Sequence, residues 1–264
     1  MLATFNKKDI RTTRNRVDIL GSKIDPHTWE SAIYTIQDWV EKHESRYICI
    51  CNVHSVVTAK GDSVLRQVIN DADMATPDGM PIAWYMRKLG YRRQLRINGP
   101  DLMLKYCEQA ARQGRSVFLF GSTSGTLELL RTNLIAAFPN LNIAGAYSPP
   151  FRSLTVQEDR EITDRINASD AGVVFVSLGC PKQEKWMAAH RGKIHAVMIG
   201  VGAAFDYHAG TIKRAPRWMQ NNGLEWLYRL LSEPRRLWRR YLITNMLFIL
   251  GIGKQIVLKR NDYF

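Results

Sequence analysis

What is scarce in this chain removes several classes of protein before any motif is read. Only four cysteines occur in 264 residues, Cys49, Cys51, Cys107 and Cys180, with no CxxC pair and no Cys/His ligand spacing. A disulfide framework and a zinc ribbon are excluded, and the thiols are expected to be reduced, as in a cytosolic protein. Cys49 and Cys51 lie two apart in an apolar run, so on a strand they share one face and suit the core. No apolar segment opens the chain, since residues 6–16 are polar and basic, and no secretory signal is expected. The longest apolar run, Leu242 to Gly253, contains Thr244 and Asn245. It falls short of the ~20 residues that span a bilayer, which favours a helix that lies on a membrane or in the core. There is no internal repeat, low-complexity tract or long linker. At 45% hydrophobic the chain can bury a full core, which excludes disorder as the default. Acidic residues are the minority, 24 against 37 Lys and Arg, for a net charge of +13 that suits anionic partners.

Much of the basic charge is gathered near one end. Between residues 213 and 240 stand Lys213, Arg214, Arg217, Arg229, Arg235, Arg236, Arg239 and Arg240, against only Glu225 and Glu233. Trp218, Trp226, Trp238, Tyr228 and Tyr241 are interleaved with them. Arginine pairs bidentately with phosphate, and Trp and Tyr favour the zone between headgroup and acyl chain. The natural partners are an anionic membrane surface or a lipid-linked diphosphate. Charge localised in this way argues against a nucleic-acid groove across the fold, and no nucleic-acid partner is expected. Two other uses stay open: a solvated amphipathic helix, or a homo-oligomer contact through the apolar residues.

Upstream, strand and helix patterns alternate. Asp25-Pro26 signals a helix start, and Trp29, Ala32, Ile33, Ile36, Trp39 and Val40 recur at helical spacing. The strand Tyr47 to Cys51 ends in Asn52, and one helical pattern runs on through Leu65 and Ile69. Residues 73–81 read as a turn built on Pro77 and Gly79, with Asp78 between them as a turn residue or a catalytic carboxylate. Pro81 suits the first turn of a helix to Leu89. A loop carrying Arg92, Arg93 and Arg96 leads to a helix start at Asn98.

Then come strands at 117–120, 141–146, 173–178 and 197–202, with helices between the first three, to Phe138 and at 157–167. Glycines mark three of the strand ends: Gly121, Gly179, and the pair Gly200 and Gly202. Such turns expose backbone N–H groups at helix starts and attract nucleotide phosphate, so an α/β fold with a parallel sheet is expected. Gly200-Val-Gly202 is not a dinucleotide fingerprint, because Phe205 stands where its third glycine would be. The chain divides into a flexible basic arm (1–16), an α/β core (17–212) and a basic, aromatic appendage (213–264).

Several blocks together carry a family resemblance: Asn52, Thr76-Pro-Asp-Gly79, Gly179-Cys-Pro-Lys-Gln-Glu184, Val201-Gly-Ala-Ala-Phe-Asp206, Arg214-Ala-Pro-Arg-Trp218 and Gly223-Leu-Glu-Trp-Leu-Tyr-Arg-Leu230. In this order they resemble the bacterial WecG/TagA/CpsF glycosyltransferases, glycosyltransferase family 26, over roughly residues 17–243. The resemblance implies a Rossmann-like core whose helical appendage reaches the cytoplasmic face of the bacterial inner membrane, as a peripheral protein. It implies inverting transfer of a sugar from a UDP-sugar to a polyprenyl-diphosphate-linked saccharide in cell-envelope or exopolysaccharide synthesis, with no cofactor and no required metal. On that basis Asp78 is the catalytic base, Asn52 a pocket residue, and Arg96 and Gln183 lie beside the ligand. Arg229, Arg236 and Arg239 match the spacing of the appendage arginines that contact the diphosphate. One departure concerns the donor: some members have Thr two residues before the pocket Asn, where this chain has Ile50. Glucose and N-acetylmannosamine types are both kept, with Ile50 favouring a neutral hexose such as glucose.

The chemistry fits these residue types. Inverting transfer needs a carboxylate for the acceptor proton and positive charge on the departing diphosphate. The nearest thing to a DxD metal pair, Asp71-Ala-Asp73, reads as a helix end. His54 and His208 stand as alternative bases. Asp206 suits ribose or uracil, or the capping of a turn, and Gln183 and Glu184 serve equally as capping residues. A nonenzymatic membrane-associated nucleotide-binding scaffold is the competing class.

Overall fold

The structure is a computed structural model that describes residues 14–261. Residues 1–13 of the expected arm lie outside the described residues. Its last positions, Arg14 and Arg16, both pair with Asp25, which is 4% exposed and accepts a hydrogen bond from Ala75 N at 2.7 Å.

A short hairpin opens the described chain, β1 (Val17–Ile19) and β2 (Ser22–Ile24), turning on Leu20 and Gly21, both at positive φ. Helix α1 (Trp29–Glu41) starts at Thr28, whose side chain and that of Ser31 form a capping box. After β3 (Arg46–Cys51) the single helix expected to run past Leu65 is two, α2 (Val53–Gly61) and α3 (Ser63–Asp71). The cause is Asp62, which is extended, closes α2 through its N–H on Thr58 O, and caps α3 by accepting from Leu65 N at 2.9 Å.

The expected turn at 73–81 begins instead as a strand, β4 (Met74–Pro77), all four residues buried. It pairs in parallel with β3 from Ile48↔Met74 to Cys51↔Pro77 and lies at the sheet edge. Pro77 is its last residue, where the missing N–H costs no ladder bond. The turn proper is Asp78-Gly79, with Gly79 at φ 93.

The remainder follows the alternation: α4 (Met80–Lys88), α5 (Gly99–Gln113), β5 (Ser116–Gly121), α6 (Ser124–Ala137), β6 (Asn142–Tyr147), α7 (Val156–Ala168), β7 (Val173–Ser177), α8 (Lys182–His190), β8 (Val197–Gly200) and α9 (Ala204–Ala209). The appendage holds α10 (Arg217–Asn221), α11 (Glu225–Ser232) and α12 (Pro234–Asn261).

Six strands form one parallel sheet in the order β4-β3-β8-β7-β5-β6. Both of its faces are buried, which is why its central strands are continuously apolar. Cys49, Phe118, Phe120, Val174 and Met198 pack one face against α2, α3, α7 and α8, through Val56, Leu65, Ile162 and Met187. Ile48, Leu119, Phe175 and Ile199 pack the other against α1, α5, α6 and α9, through Ile36, Leu102, Leu130 and Ala204. The expected sharing of a face by Cys49 and Cys51 is observed.

Helix α12 lies on the first of these layers and packs against α2. Leu237, Thr244, Phe248 and Gly251 are buried at near-heptad spacing. A side chain at Gly251 would place its Cβ 2.7 Å from Leu20 Cδ2, so glycine is what lets the helix close on the hairpin. Beyond it, Gln255 Nε2 donates to Asp18 O at 2.9 Å and Leu20 N donates to Gln255 Oε1 at 3.2 Å. The opposite side is exposed and apolar, with Leu242, Met246, Ile249, Leu250 and Val257 each more than half accessible.

The apolar run that looks short in sequence is therefore part of a 28-residue helix, because Lys254 and Gln255 interrupt the run without ending the helix. Among the described residues α12 alone is long and apolar enough to cross a membrane by length and composition, its most apolar 18-residue stretch having a mean hydropathy of 1.6 with 17% of that stretch buried. The length argument against a span does not hold. What ties α12 to the folded core is the packing of Phe248, Gly251 and Gln255.

Candidate functional site

Parallel pairing brings the strand ends to one edge. Cys51 lies beside Pro77, Gly200 beside both Cys49 and Val176 in the ladder, and Ser177 beside Gly121. Asn52, Asp78, Gly202, Gly179 and Ser122 follow directly, so a single carboxyl edge carries most of the sequence candidates. This is the edge at which open α/β sheets bind ligands.

Asn52 caps α2, its Oδ1 accepting from Ser55 N at 3.1 Å. Asp78 is fixed through its backbone, whose N–H donates to Cys51 O at 2.8 Å. Its side chain is 23% accessible, and burial pushes the carboxyl up to about 6 from 3.8. Arg96 and Arg214 pull it down, and Glu225 and Asp101 push it further up. These groups form a ladder of alternating charge. Arg96 Nε lies 3.9 Å from Asp78 Oδ1 while Arg96 Nη1 pairs with Glu225 Oε2 at 2.8 Å. Glu225 Oε1 then faces Arg214 Nε at 3.4 Å, and Arg214 pairs with Asp101 and with Asn98 Oδ1.

At two of the strand-end glycines the missing side chain is used by the protein itself. A Cβ on Gly121 would lie 2.3 Å from Ser177 O, and one on Gly200 would lie 2.8 Å from Met187 Cε and 2.9 Å from Gln183 Nε2. Gly179, at φ 75, faces open room, and Gly202 looks onto Gln183 Oε1. Gln183 is 4% exposed; its Nε2 bonds Glu184 Oε1 at 3.0 Å, while its Oε1 and Glu184 Oε2 are buried without a partner among the described residues. Burial also raises the Glu184 carboxyl.

The appendage roofs this edge. Arg229 is 17% accessible at its side chain, stands over the Tyr207 ring at 5.6 Å, and faces Glu233 at 3.8 Å. Asp206 lies near Arg229 and Arg236; burial raises its carboxyl and the two cations oppose that. Arg236 pairs with Glu233 at 2.6 Å. Arg239, by contrast, is exposed and stacks on Trp238 at 5.2 Å. Its neighbour Arg240 turns inward, half-buried, toward His54, Cys180, Arg229 and Arg236, with Nε unpartnered among the described residues. Tyr241 is in electrostatic reach of Asp78, Glu225, Arg229 and Arg240, so the carboxyl and these cations share one neighbourhood.

Sequence reasoning passed over Arg240 and Glu225. The available signal for Arg240 was its i+3 spacing from Leu237 and i+4 spacing to Thr244, both buried, which places it on the packed face of α12. The alternative bases are differently engaged: His208 Nε2 donates to Pro100 O at 2.9 Å, and burial with Arg240 nearby lowers His54 to about 4. Among the described residues no group of three or more His, Cys, Asp or Glu could hold a metal ion. A depression between α3 and α8, lined by Tyr47, Ser63, Gln67 and Arg191, opens elsewhere, and its Arg191 is committed to Asp73.

Known proteins match this sequence over most of its length. A curated relative from Bacillus spizizenii, an N-acetylglucosaminyldiphosphoundecaprenol N-acetyl-beta-D-mannosaminyltransferase, is 33% identical over 229 residues, covering 86% of this chain and 85% of the relative. The model of the glycosyl transferase WecG/TagA/CpsF family matches residues 17–262, so it takes in the parallel sheet, the turn that carries Asp78 and the appendage that roofs them. With the core and its roof matched as one unit, the chain belongs to the WecG/TagA/CpsF family of glycosyl transferases.

Proposed function

We propose that the protein transfers a hexose from a UDP-sugar to a polyprenyl-diphosphate-linked saccharide, with inversion and without a required metal, in bacterial surface-polysaccharide synthesis. The observation that carries this reading is Asp78, a shielded carboxyl raised to about 6 at the ligand-binding edge of a parallel sheet, beneath guanidinium groups of the appendage. A carboxyl of that kind is ionised near neutral pH yet basic enough to accept a proton.

In the proposed step the acceptor hydroxyl oxygen attacks the anomeric carbon as Asp78 takes its proton. The bond from that carbon to the UDP oxygen breaks, and the electron pair leaves on the diphosphate. One displacement at one carbon inverts its configuration. Arg229, Arg236 and Arg240 supply the positive charge that the leaving diphosphate needs, and Arg239, matched to that role by spacing, stands exposed beside Arg240. Gln183, with a free buried oxygen, and Asn52 line the donor side, and Gly179 and Gly202 leave backbone room there. The exposed apolar face of α12, with Trp218, Trp226 and Trp238, rests on the anionic cytoplasmic face of the inner membrane, where the lipid-linked acceptor resides.

The relative's name supports an acceptor of this class. The donor is of glucose or N-acetylmannosamine type. Ile50 is 7% exposed and apolar, and the hydroxyl beside it in the ladder, Thr76 Oγ1, already donates to Ile97 O.

UDP release is measured for UDP-glucose, UDP-N-acetylmannosamine and its uronic acid with detergent-dispersed undecaprenyl-diphosphate-linked N-acetylglucosamine or glucose, wild type beside Asp78→Asn. Lipid-dependent turnover with one donor and a loss of at least about 100-fold in the variant is expected. UDP binding without turnover of any donor would refute the transferase reading and favour the scaffold.

A further inference from the structure

Arg96 stands between two carboxylates that come from distant parts of the chain. Its Nη1 forms an ion pair with Glu225 Oε2 at 2.8 Å, and its Nε stays 3.9 Å from Asp78 Oδ1, beyond hydrogen-bond reach. Both partners of the shorter contact are well shielded, Arg96 at 11% and Glu225 at 17% side-chain exposure. Glu225 is held from behind as well, by Arg214, which is anchored on Asp101 and Asn98. For Arg96 to close on Asp78 in a bidentate pair, it would have to leave Glu225.

We propose that Glu225 is a positioning residue for the transfer step: it draws Arg96 off Asp78 and so leaves the Asp78 oxygens open to the acceptor hydroxyl. This role rests on the reading of Asp78 as the base. A guanidinium locked on a carboxylate occupies the lone pairs that must receive the proton, and it stabilises the ion, which weakens the base. At 3.9 Å the cation attracts the carboxylate without capping it.

The groups facing Asp78 are Arg96 from the loop before α5, Asp101 from α5, Arg214 from the segment before α10, Glu225 from α11, Tyr241 from α12 and the Cys51 thiol from β3. Of the two acids in this set only Glu225 contacts Arg96. Glu225 is also the first residue of α11, whose Trp226 and Leu231 are 38% and 71% exposed. The state of the base is thereby tied to where the appendage sits.

The test is the pH dependence of kcat between pH 5 and 8, with the full chain, detergent-dispersed lipid-linked acceptor, and whichever of UDP-glucose or UDP-N-acetylmannosamine supports turnover. Wild type is compared with Glu225→Ala, Glu225→Gln and Asp78→Asn. In Glu225→Ala the acid limb is expected to move down by about 1 pH unit and the plateau to fall several-fold, with KM for the donor unchanged. Glu225→Gln keeps an oxygen for Arg96 Nη1 at nearly the same size, and its profile should fall between the two. A wild-type acid limb in both variants, whether or not the rate drops, overturns the proposal, as does a larger effect for Gln than for Ala. Should Asp78→Asn turn over like wild type, the base assignment fails and Glu225 loses its role with it; an inactive Asp78→Asn beside unshifted Glu225 variants removes the positioning role alone.

Discussion

Replacing Asp78 by Asn should make the protein more stable while making it inactive. In the folded chain the Asp78 carboxyl holds its proton to about pH 6, whereas its ordinary value is 3.8. Between these two values the unfolded chain has given up a proton that the folded chain keeps, so ionisation favours unfolding more and more as pH rises. Above about pH 6 the penalty is constant at about 3 kcal/mol, and below 3.8 it is absent. Asparagine has nearly the same volume and cannot ionise, so the substitution removes the penalty and leaves the packing in place. For a chain of 264 residues, with unfolding entropy of about 2.1 cal/mol/K per residue, the gain corresponds to roughly 5 °C in Tm. Thermal unfolding of both proteins by circular dichroism from pH 4 to 8 reads this directly. The variant should melt higher at pH 7.5, and the two curves should converge by pH 4. A variant less stable at pH 7.5, or a gain equal at both ends of the range, would refute the account of Asp78 as a carboxyl strained by burial.

Gly200→Ala brings a Cβ to 2.9 Å from Gln183 Nε2 and 2.8 Å from Met187 Cε, both at the ends of flexible side chains. Stability should fall by only about 1 kcal/mol while Gln183 is displaced; turnover should drop about tenfold or more, and unchanged turnover would dissociate Gln183 from the site. Phe248→Ala removes the largest buried apolar contact of α12, at a cost of about 3–5 kcal/mol. Limited proteolysis should then cut within residues 234–258 at least about tenfold faster than in wild type, with the sheet's own thermal transition little changed.

The architecture was legible because its signals are local. Apolar strands, helical periodicity and glycine at the strand ends are written within short windows, and the order of βα units followed from them. Met74 to Pro77 escaped because a four-residue edge strand ending in proline has no room to show a period, and its identity lies in its pairing with β3. Asp62 escaped because the apolar spacing of α2 and α3 continues across it, while the break is made by one side chain turning to cap. At the site, Asp78, Asn52 and Gln183 were marked by their family blocks, and parallel pairing brings them to one edge. Arg240 and Glu225 were not marked. A pattern records which face of a helix a residue occupies, and Arg239 and Arg240 differ only in facing. That Glu225 meets Arg96 depends on how the appendage docks, which no local window contains.

The charge ladder also separates two kinds of electrostatics by their response to salt. Asp78, Arg96, Glu225 and Arg214 are each less than a quarter accessible at the side chain, so mobile ions hardly reach between them. Arg235 and Arg239 on the outer surface of α12 are exposed, and at 0.5 M salt, where the Debye length is about 4 Å, the attraction proposed for them toward an anionic bilayer is largely screened. Under the membrane contact proposed above, ionic strength thus weakens the arginine share of the hold on charged vesicles and leaves the apolar face of α12, while the proton affinity of Asp78 stays where the ladder has set it.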